Sequence, residues 1–166
     1  MAIYVLDSNF FIQAHRFTYP IDIATGFWNK VKDLAQEGTI VSIDKVKEEL
    51  YKNNDALKTW CKENLPRTFF KDSSDTMIQY SQVVSWAMSR SDHYQQKAIE
   101  AFLDADEADA FLVAFALADL KNRFIVTQEV SKPQQRNKVK IPDCCKALGV
   151  RYLNTIDMFR ELGETF

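Results

Sequence analysis

Acidic residues recur along this chain where apolar runs stop or helices begin. Asp7 directly follows Ile3-Tyr4-Val5-Leu6, and Glu48 and Glu49 lie one helical turn beyond Thr39-Ile40-Val41-Ser42-Ile43. Asp106 and Asp109 open an apolar helical stretch, and Glu129 comes just after Val126-Thr127. If these carboxylates converge, two like charges ~5 Å apart repel by roughly 3 kcal/mol at an effective dielectric of about 20. A divalent cation relieves that repulsion, and oxygen ligands without His or Cys select hard ions, Mg²⁺ or Mn²⁺. Such a centre activates water and neutralises the charge that builds on a phosphodiester under attack.

Convergence requires a scaffold. Ile3-Tyr4-Val5-Leu6 is a short, continuous apolar run, as in a strand buried on both faces. Phe27, Val31 and Leu34 follow at helical spacing, Gly38 suits the end of that helix, and Thr39-Ile40-Val41-Ser42-Ile43 supplies a second strand. Asp44 is placed to cap a helix with Val46 and Leu50 on one face, and residues 55–103 read as two or three amphipathic helices. A longer helix is expected from about Glu107 to Leu120, apolar nearly all round and therefore buried, leading to a strand at Arg123-Phe124-Ile125-Val126-Thr127. Pro142 suits the first position of a short helix and Gly149 its C-cap; Val150-Arg151-Tyr152-Leu153 then reads as a strand, and Thr155 as the cap of a last helix ending near Gly163.

The expected fold is α/β, a three-layer α/β/α domain with a central parallel sheet of about four strands and roughly seven helices. Parallel strands joined by right-handed crossovers end on a common edge, and ligands bind there. With four Gly, four Pro and neither a low-complexity tract nor a repeat, nothing marks a linker, so residues 1–166 read as a single domain.

Four blocks together resemble the motifs of PIN domains, in the order and on the elements expected: Val5-Leu6-Asp7-Ser8-Asn9, Val46-Lys47-Glu48-Glu49-Leu50, Ala108-Asp109-Ala110-Phe111-Leu112-Val113-Ala114 and Ile125-Val126-Thr127-Gln128-Glu129. Ile141-Pro142-Asp143, followed by Gly149-Val150, is similar to the family's closing unit. The resemblance spans the chain and is nearest to an uncharacterised group of stand-alone PIN-like proteins. It implies a metal-dependent endoribonuclease, leaving a 5′-phosphate and a 3′-hydroxyl, frequently the toxin of a VapC-type toxin–antitoxin pair. RNA and an antitoxin protein are the implied partners, and a homodimer is an implied assembly.

Carried over by position, Asp7 matches the first metal-binding acid, with Ser8 and Asn9 the small polar residues that support it, and Asp109 matches the third. For the second, the family acid directly precedes an apolar residue, which favours Glu49 over Glu48; helical geometry agrees, since Glu49 lies on the Val46/Leu50 face. At the fourth position the pattern departs: the family has Asp one or two residues beyond the Thr, whereas here Thr127 is followed by Glu129, whose extra methylene shifts its reach by ~1.5 Å. The set expected to hold Mg²⁺ or Mn²⁺ and to act in catalysis is Asp7, Glu49, Asp109 and Glu129, with Ser8, Asn9 and Thr127 in support.

Purely structural roles compete with this reading. Asp7 could cap the helix entering at Phe10, and Asp106 with Asp109 could be an N-cap and N3 pair, Asp106 being the better cap and Asp109 the better ligand. Glu48 and Glu49 could be a solvated face with Lys45, Lys47 and Lys52. Lys132, Arg136, Lys138 and Lys140 follow the presumed site without an intervening acid and suit phosphate neutralisation, or a polar loop.

Other chemistries fit less well. Lys and Arg total 21 against 23 Asp and Glu, so a polyanion must be bound locally rather than drawn in by net charge. Cys61, Cys144 and Cys145 fit neither a disulfide framework nor a CxxC site, which suggests a reducing compartment. His15 and His93 are the only histidines and have no partner motif for a triad or a zinc site, and Trp28, Trp60 and Trp86 sit on amphipathic helices, where packing is the expected role. A phosphatase of the haloacid-dehalogenase type would need a second acid where Asn9 stands. No apolar run approaches the ~18–20 residues of a membrane span, so the expectation is a soluble cytoplasmic protein. The rival to catalysis is a PIN fold used as a binding module with protein partners.

Overall fold

The computed structural model describes residues 1–166. Strand β1 (Ile3–Leu6) lies at the centre of a five-stranded, all-parallel sheet with β2 (Ile40–Ile43), β3 (Phe70–Lys71), β4 (Arg123–Val126) and β5 (Tyr152–Leu153), in the order β3-β2-β1-β4-β5. The buried runs of β1 and β2 follow from that central place, since a strand covered on both faces has no polar side to present. The chain winds outward from β1 to β2 and β3, then returns to the other side of β1 for β4 and β5. The switch of direction falls between β1 and β4.

Nine α-helices connect and cover the strands: α1 (Ser8–Gln13), α2 (Thr25–Gln36), α3 (Asp44–Tyr51), α4 (Ala56–Asn64), α5 (Met77–Ser89), α6 (Gln96–Phe102), α7 (Asp109–Leu117), α8 (Ile141–Leu148) and α9 (Thr155–Leu162). A π-helical turn at Ala14–Thr18 extends α1. Helix α1 packs on α3, and α3 on α4, while α7 packs on both α5 and α8; with right-handed crossovers this is consistent with helices on both faces of the sheet. Every residue of α7 from Ala110 to Ala116 is buried, as its all-round apolarity requires. Phe10, Phe11, Phe27, Trp28 and Phe69 are fully buried in the same core, each worth ~1.5–3 kcal/mol relative to exposure. Trp28 donates to the Tyr19 carbonyl (2.6 Å) and packs edge-on against Trp60. No helix is long and apolar enough to cross a membrane.

The sheet has one strand more than the sequence suggests, and the helices number nine rather than seven. β3 lies in the stretch read as helical. It is two residues long and exists because Ser42 and Ile43 of β2 offer it an edge to pair with, a long-range condition that no local pattern announces. Helix α7 is shorter than expected: Asp104 turns the chain at Asp106 and Glu107, and a second turn at Asp119–Asn122 ends the element. Three caps also differ. Asp44 is the first residue of α3 and accepts from the Ser73 amide (3.2 Å) instead of capping its own helix. Asp106 is exposed and does not cap α7. Asn154, not Thr155, caps α9 by accepting from the Asp157 amide (2.8 Å).

Candidate active site

Asp7 and Thr127 leave adjacent strands, β1 and β4, at the switch point, where the open crevice of a parallel sheet lies. The Leu6 carbonyl just before Asp7 accepts from the buried Ser42 hydroxyl of β2 at 2.6 Å, which sets the angle at which the chain enters α1. Asp7 is 3% exposed. Its Oδ1 accepts from the Ser8 amide (2.7 Å), so it does cap α1, which starts at Ser8 rather than at Phe10; its Oδ2 accepts from the Thr127 hydroxyl (2.9 Å). The cap uses one oxygen edge and leaves the carboxylate within the site.

Thr127 and Asn9 bind the two strand ends together. The Thr127 hydroxyl oxygen also accepts from the Glu129 amide (3.1 Å), and the Asn9 side-chain carbonyl accepts from the Gln128 amide (3.1 Å). Ser8, Asn9 and Thr127, expected as supports, therefore hold Asp7 and the loop after β4 in register.

Glu49 comes from α3, on the face of the buried Val46 and Leu50, and its Oε1 accepts from the Ala108 amide at the start of α7 (3.0 Å). Glu48 is exposed. The orphan amide at the head of α7 is thus served by another helix, which explains why neither Asp106 nor Asp109 is needed as its cap. Asp109, the first residue of α7, is left with its carboxylate among the other acids. Glu129 accepts from the Ile141 amide at the start of α8 with Oε2 (2.9 Å) and from the Lys138 ammonium with Oε1 (3.3 Å).

The electrostatics record the convergence. Burial pushes the Asp7 carboxyl up to about 7, Glu129 and Glu49 adding to the rise while Thr127 and Ser8 oppose it. Burial likewise drives Asp109 well above its ordinary value, reinforced by Asp7, Glu129 and Glu49 and opposed by Lys138. Glu49 is raised by burial, against the pull of the Ser8 hydroxyl and the Ala108 amide. For Lys138 burial acts downward, but Glu129, Asp109 and Asp7 together carry its pKa above the usual ammonium value. Four carboxylates from four elements share one field, and one ammonium offsets them.

No three His, Cys, Asp or Glu side chains form a preformed ligand cluster. Asp7, Glu49 and Glu129 are each held by their own protein donors, while Asp109 has none, so the four do not close into a cage. The donor chemistry, carboxylate oxygens with neither imidazole nor thiolate, fits a hard divalent ion, and so does an excess of buried negative charge.

A family of domains of unknown function, DUF4411, matches residues 4–166. The chain belongs to that family. No protein of curated function matches it.

In this DUF4411 chain two contributors were not legible as site residues. Ser42 sits inside an apolar strand run and reads as a minor interruption, yet its hydroxyl fixes the end of β1. Asp143 of α8, 9% exposed, accepts from the Ser131 hydroxyl (2.5 Å) and the Lys132 amide (3.1 Å), which pins the loop that carries Glu129. The Ile141-Pro142-Asp143 pattern was its only signal. Of the basic strip, Lys132, Arg136 and Lys138 are exposed and Lys140 is half-buried, but Lys138 alone pairs with an acid of the site, Glu129. His93 lies 3.2 Å from the Gln135 carbonyl.

Proposed function

We propose that this protein is a divalent-ion-dependent ribonuclease of the PIN type, with the three-layer α/β/α architecture of that fold. The observation that carries the reading is the gathering of Asp7, Glu49, Asp109 and Glu129 at the β1/β4 switch point, where Thr127 links Asp7 to the Glu129 amide and Glu49 holds the Ala108 amide beside Asp109; burial and the neighbouring acids raise Asp7 and Asp109 accordingly. Asp7, Glu49 and Asp109 are the residues that would hold Mg²⁺ or Mn²⁺, and Glu129 completes the acidic wall. When bound, the ion supplies a polarised water and positive charge for the phosphodiester.

The remaining work falls to the chain. Thr127 and Ser8 fix both oxygens of Asp7, so its carboxylate is held in one orientation at the end of β1 without rotamer search. The Ala108 amide fixes Glu49 in the same way. Lys138 presents the one ammonium at the acidic wall, where negative charge on a phosphoryl group would build. Exposed Lys132 and Arg136 beside the site neutralise flanking phosphates, which supports RNA as substrate despite a net charge of −2. The expected setting is the cytoplasm, with an antitoxin protein as partner and a homodimer as the assembly.

The test is cleavage of single-stranded RNA by the purified chain with Mn²⁺ or Mg²⁺. EDTA should abolish it and Asp7→Asn should lower it by at least about 100-fold. Cleavage by Asp7→Asn at the parental rate would show that the site is misassigned. A second reading, a PIN-type module that binds without cutting, draws on one observation: Glu129 is already engaged by Ile141 and Lys138. A parent inert toward varied RNAs, and without measurable affinity for Mn²⁺, would select it.

A further inference from the structure

Lys138 is held from two directions. On one side Glu129 binds its ammonium at 3.3 Å, and Glu129 is itself anchored by the Ile141 amide at the head of α8 (2.9 Å). On the other, the neighbouring Val139 and Ile141 are buried and fix the chain that carries it. The side chain also lines a cavity of about 380 Å³ together with Asp109, Asn137 and Lys97, so its charge acts on Asp109 as well as on Glu129. The ammonium thus pairs with Glu129 and shares a cavity with Asp109, an acid from a different element.

We propose that Lys138 is the second cation of this site, so that the centre takes one divalent ion rather than two. The inference rests on the ribonuclease reading above and sharpens its stoichiometry. Two-ion phosphoryl-transfer sites hold their ions ~3.5–4 Å apart over shared carboxylates. Here the outer oxygen of Glu129 is given to an ammonium, and a dication placed beside it would meet a like charge at close range. One divalent ion on Asp7, Glu49 and Asp109 leaves that contact intact. The Lys138 side chain is about half exposed and lines the cavity, so an ammonium with three N–H donors can serve a phosphoryl oxygen of the substrate as well as Glu129. Lys138 is in this sense both a substitute for a metal ion and a contact for substrate.

The experiment is Mn²⁺ binding to the full chain, followed by the paramagnetic signal of free Mn²⁺ and by calorimetry, for the parent, Lys138→Met, Lys138→Gln and Lys138→Arg. The expected result is one ion per parent chain, one for Lys138→Arg and two for both neutral variants. Two ions in the parent, or one ion bound with unchanged affinity in both neutral variants, would overturn the proposal while leaving the ribonuclease reading in place. A parent that binds no Mn²⁺ would remove the reading itself and the proposal with it. Both neutral substitutions fall on a side chain about half exposed, and a failure of one to fold leaves the other to decide.

Discussion

Asp7 and Glu129 follow neighbouring strands and contribute to one acidic wall, but the fold treats their charges differently. Asp7 is buried and receives hydrogen bonds only from neutral groups, the Ser8 amide and the Thr127 hydroxyl. Asp109 and Glu49 likewise have no salt-bridge partner, whereas Glu129 is paired with Lys138 and also serves the head of α8. On the Asp7 side negative charge is stored without compensation, and it responds to protons and added cations. On the Glu129 side it is compensated within the chain and acts as a structural link.

The contrast can be broken most decisively at Asp109. Asp109→Asn should lower Mn²⁺-dependent RNA cleavage by at least about 100-fold and should abolish any rise in melting temperature produced by Mn²⁺. Retention of that rise would mean that the ion binds elsewhere. In the ion-free protein, pH provides the next largest effect. The folded chain keeps a proton on Asp7 up to about pH 7, whereas the unfolded chain releases it near 3.8. Folding therefore takes up protons between those values, and stability from this group falls as pH rises from about 4 to about 7 and then levels off. Denaturant titrations in EDTA should show that fall, amounting to a few kcal/mol, and Asp7→Asn should reduce it, leaving the part that the raised Asp109 and Glu49 contribute. A rise in stability across the same window would contradict the uncompensated charge.

Smaller effects belong to the compensated side. Glu129→Gln keeps an acceptor for the Ile141 amide but loses the ion pair, and should destabilise the fold by about 1 kcal/mol in denaturant titration. A loss as large as that expected for a buried, unpaired charge, ~3–5 kcal/mol, would place Glu129 deeper in the network than its contacts indicate. The smallest effect is predicted for Glu48→Gln, on the exposed face of α3, which should leave both cleavage and stability within ~0.5 kcal/mol of the parent. Equal losses from Glu48→Gln and Glu49→Gln would erase the distinction between them.

Much of the site was legible because its acids are attached to hydrophobic patterns. Asp7 ends an apolar strand, Glu49 shares a face with Val46 and Leu50, and Asp109 starts a helix that is apolar all round; each pattern states locally which way its acid must turn. The caps were less legible. Asp44 and Asp106 have the residue type and position of helix caps, but Asp44 is drawn to the Ser73 amide and the head of α7 is supplied by Glu49. A short polar side chain has several backbone partners of similar strength, and the nearest in sequence need not win.

The sequence by itself determined the alternation of buried strands and helices, and with it a parallel sheet whose carboxyl edge collects the acids. Local periodicity suffices for that, since burial of each element depends mainly on its own apolar face. Only the tertiary structure decided that a fifth strand pairs with β2, that the Ser42 hydroxyl fixes the end of β1, and that Lys138, alone of the basic strip, pairs with Glu129. These depend on contacts between residues far apart in the chain, whose energies exist only once the intervening helices have brought them together.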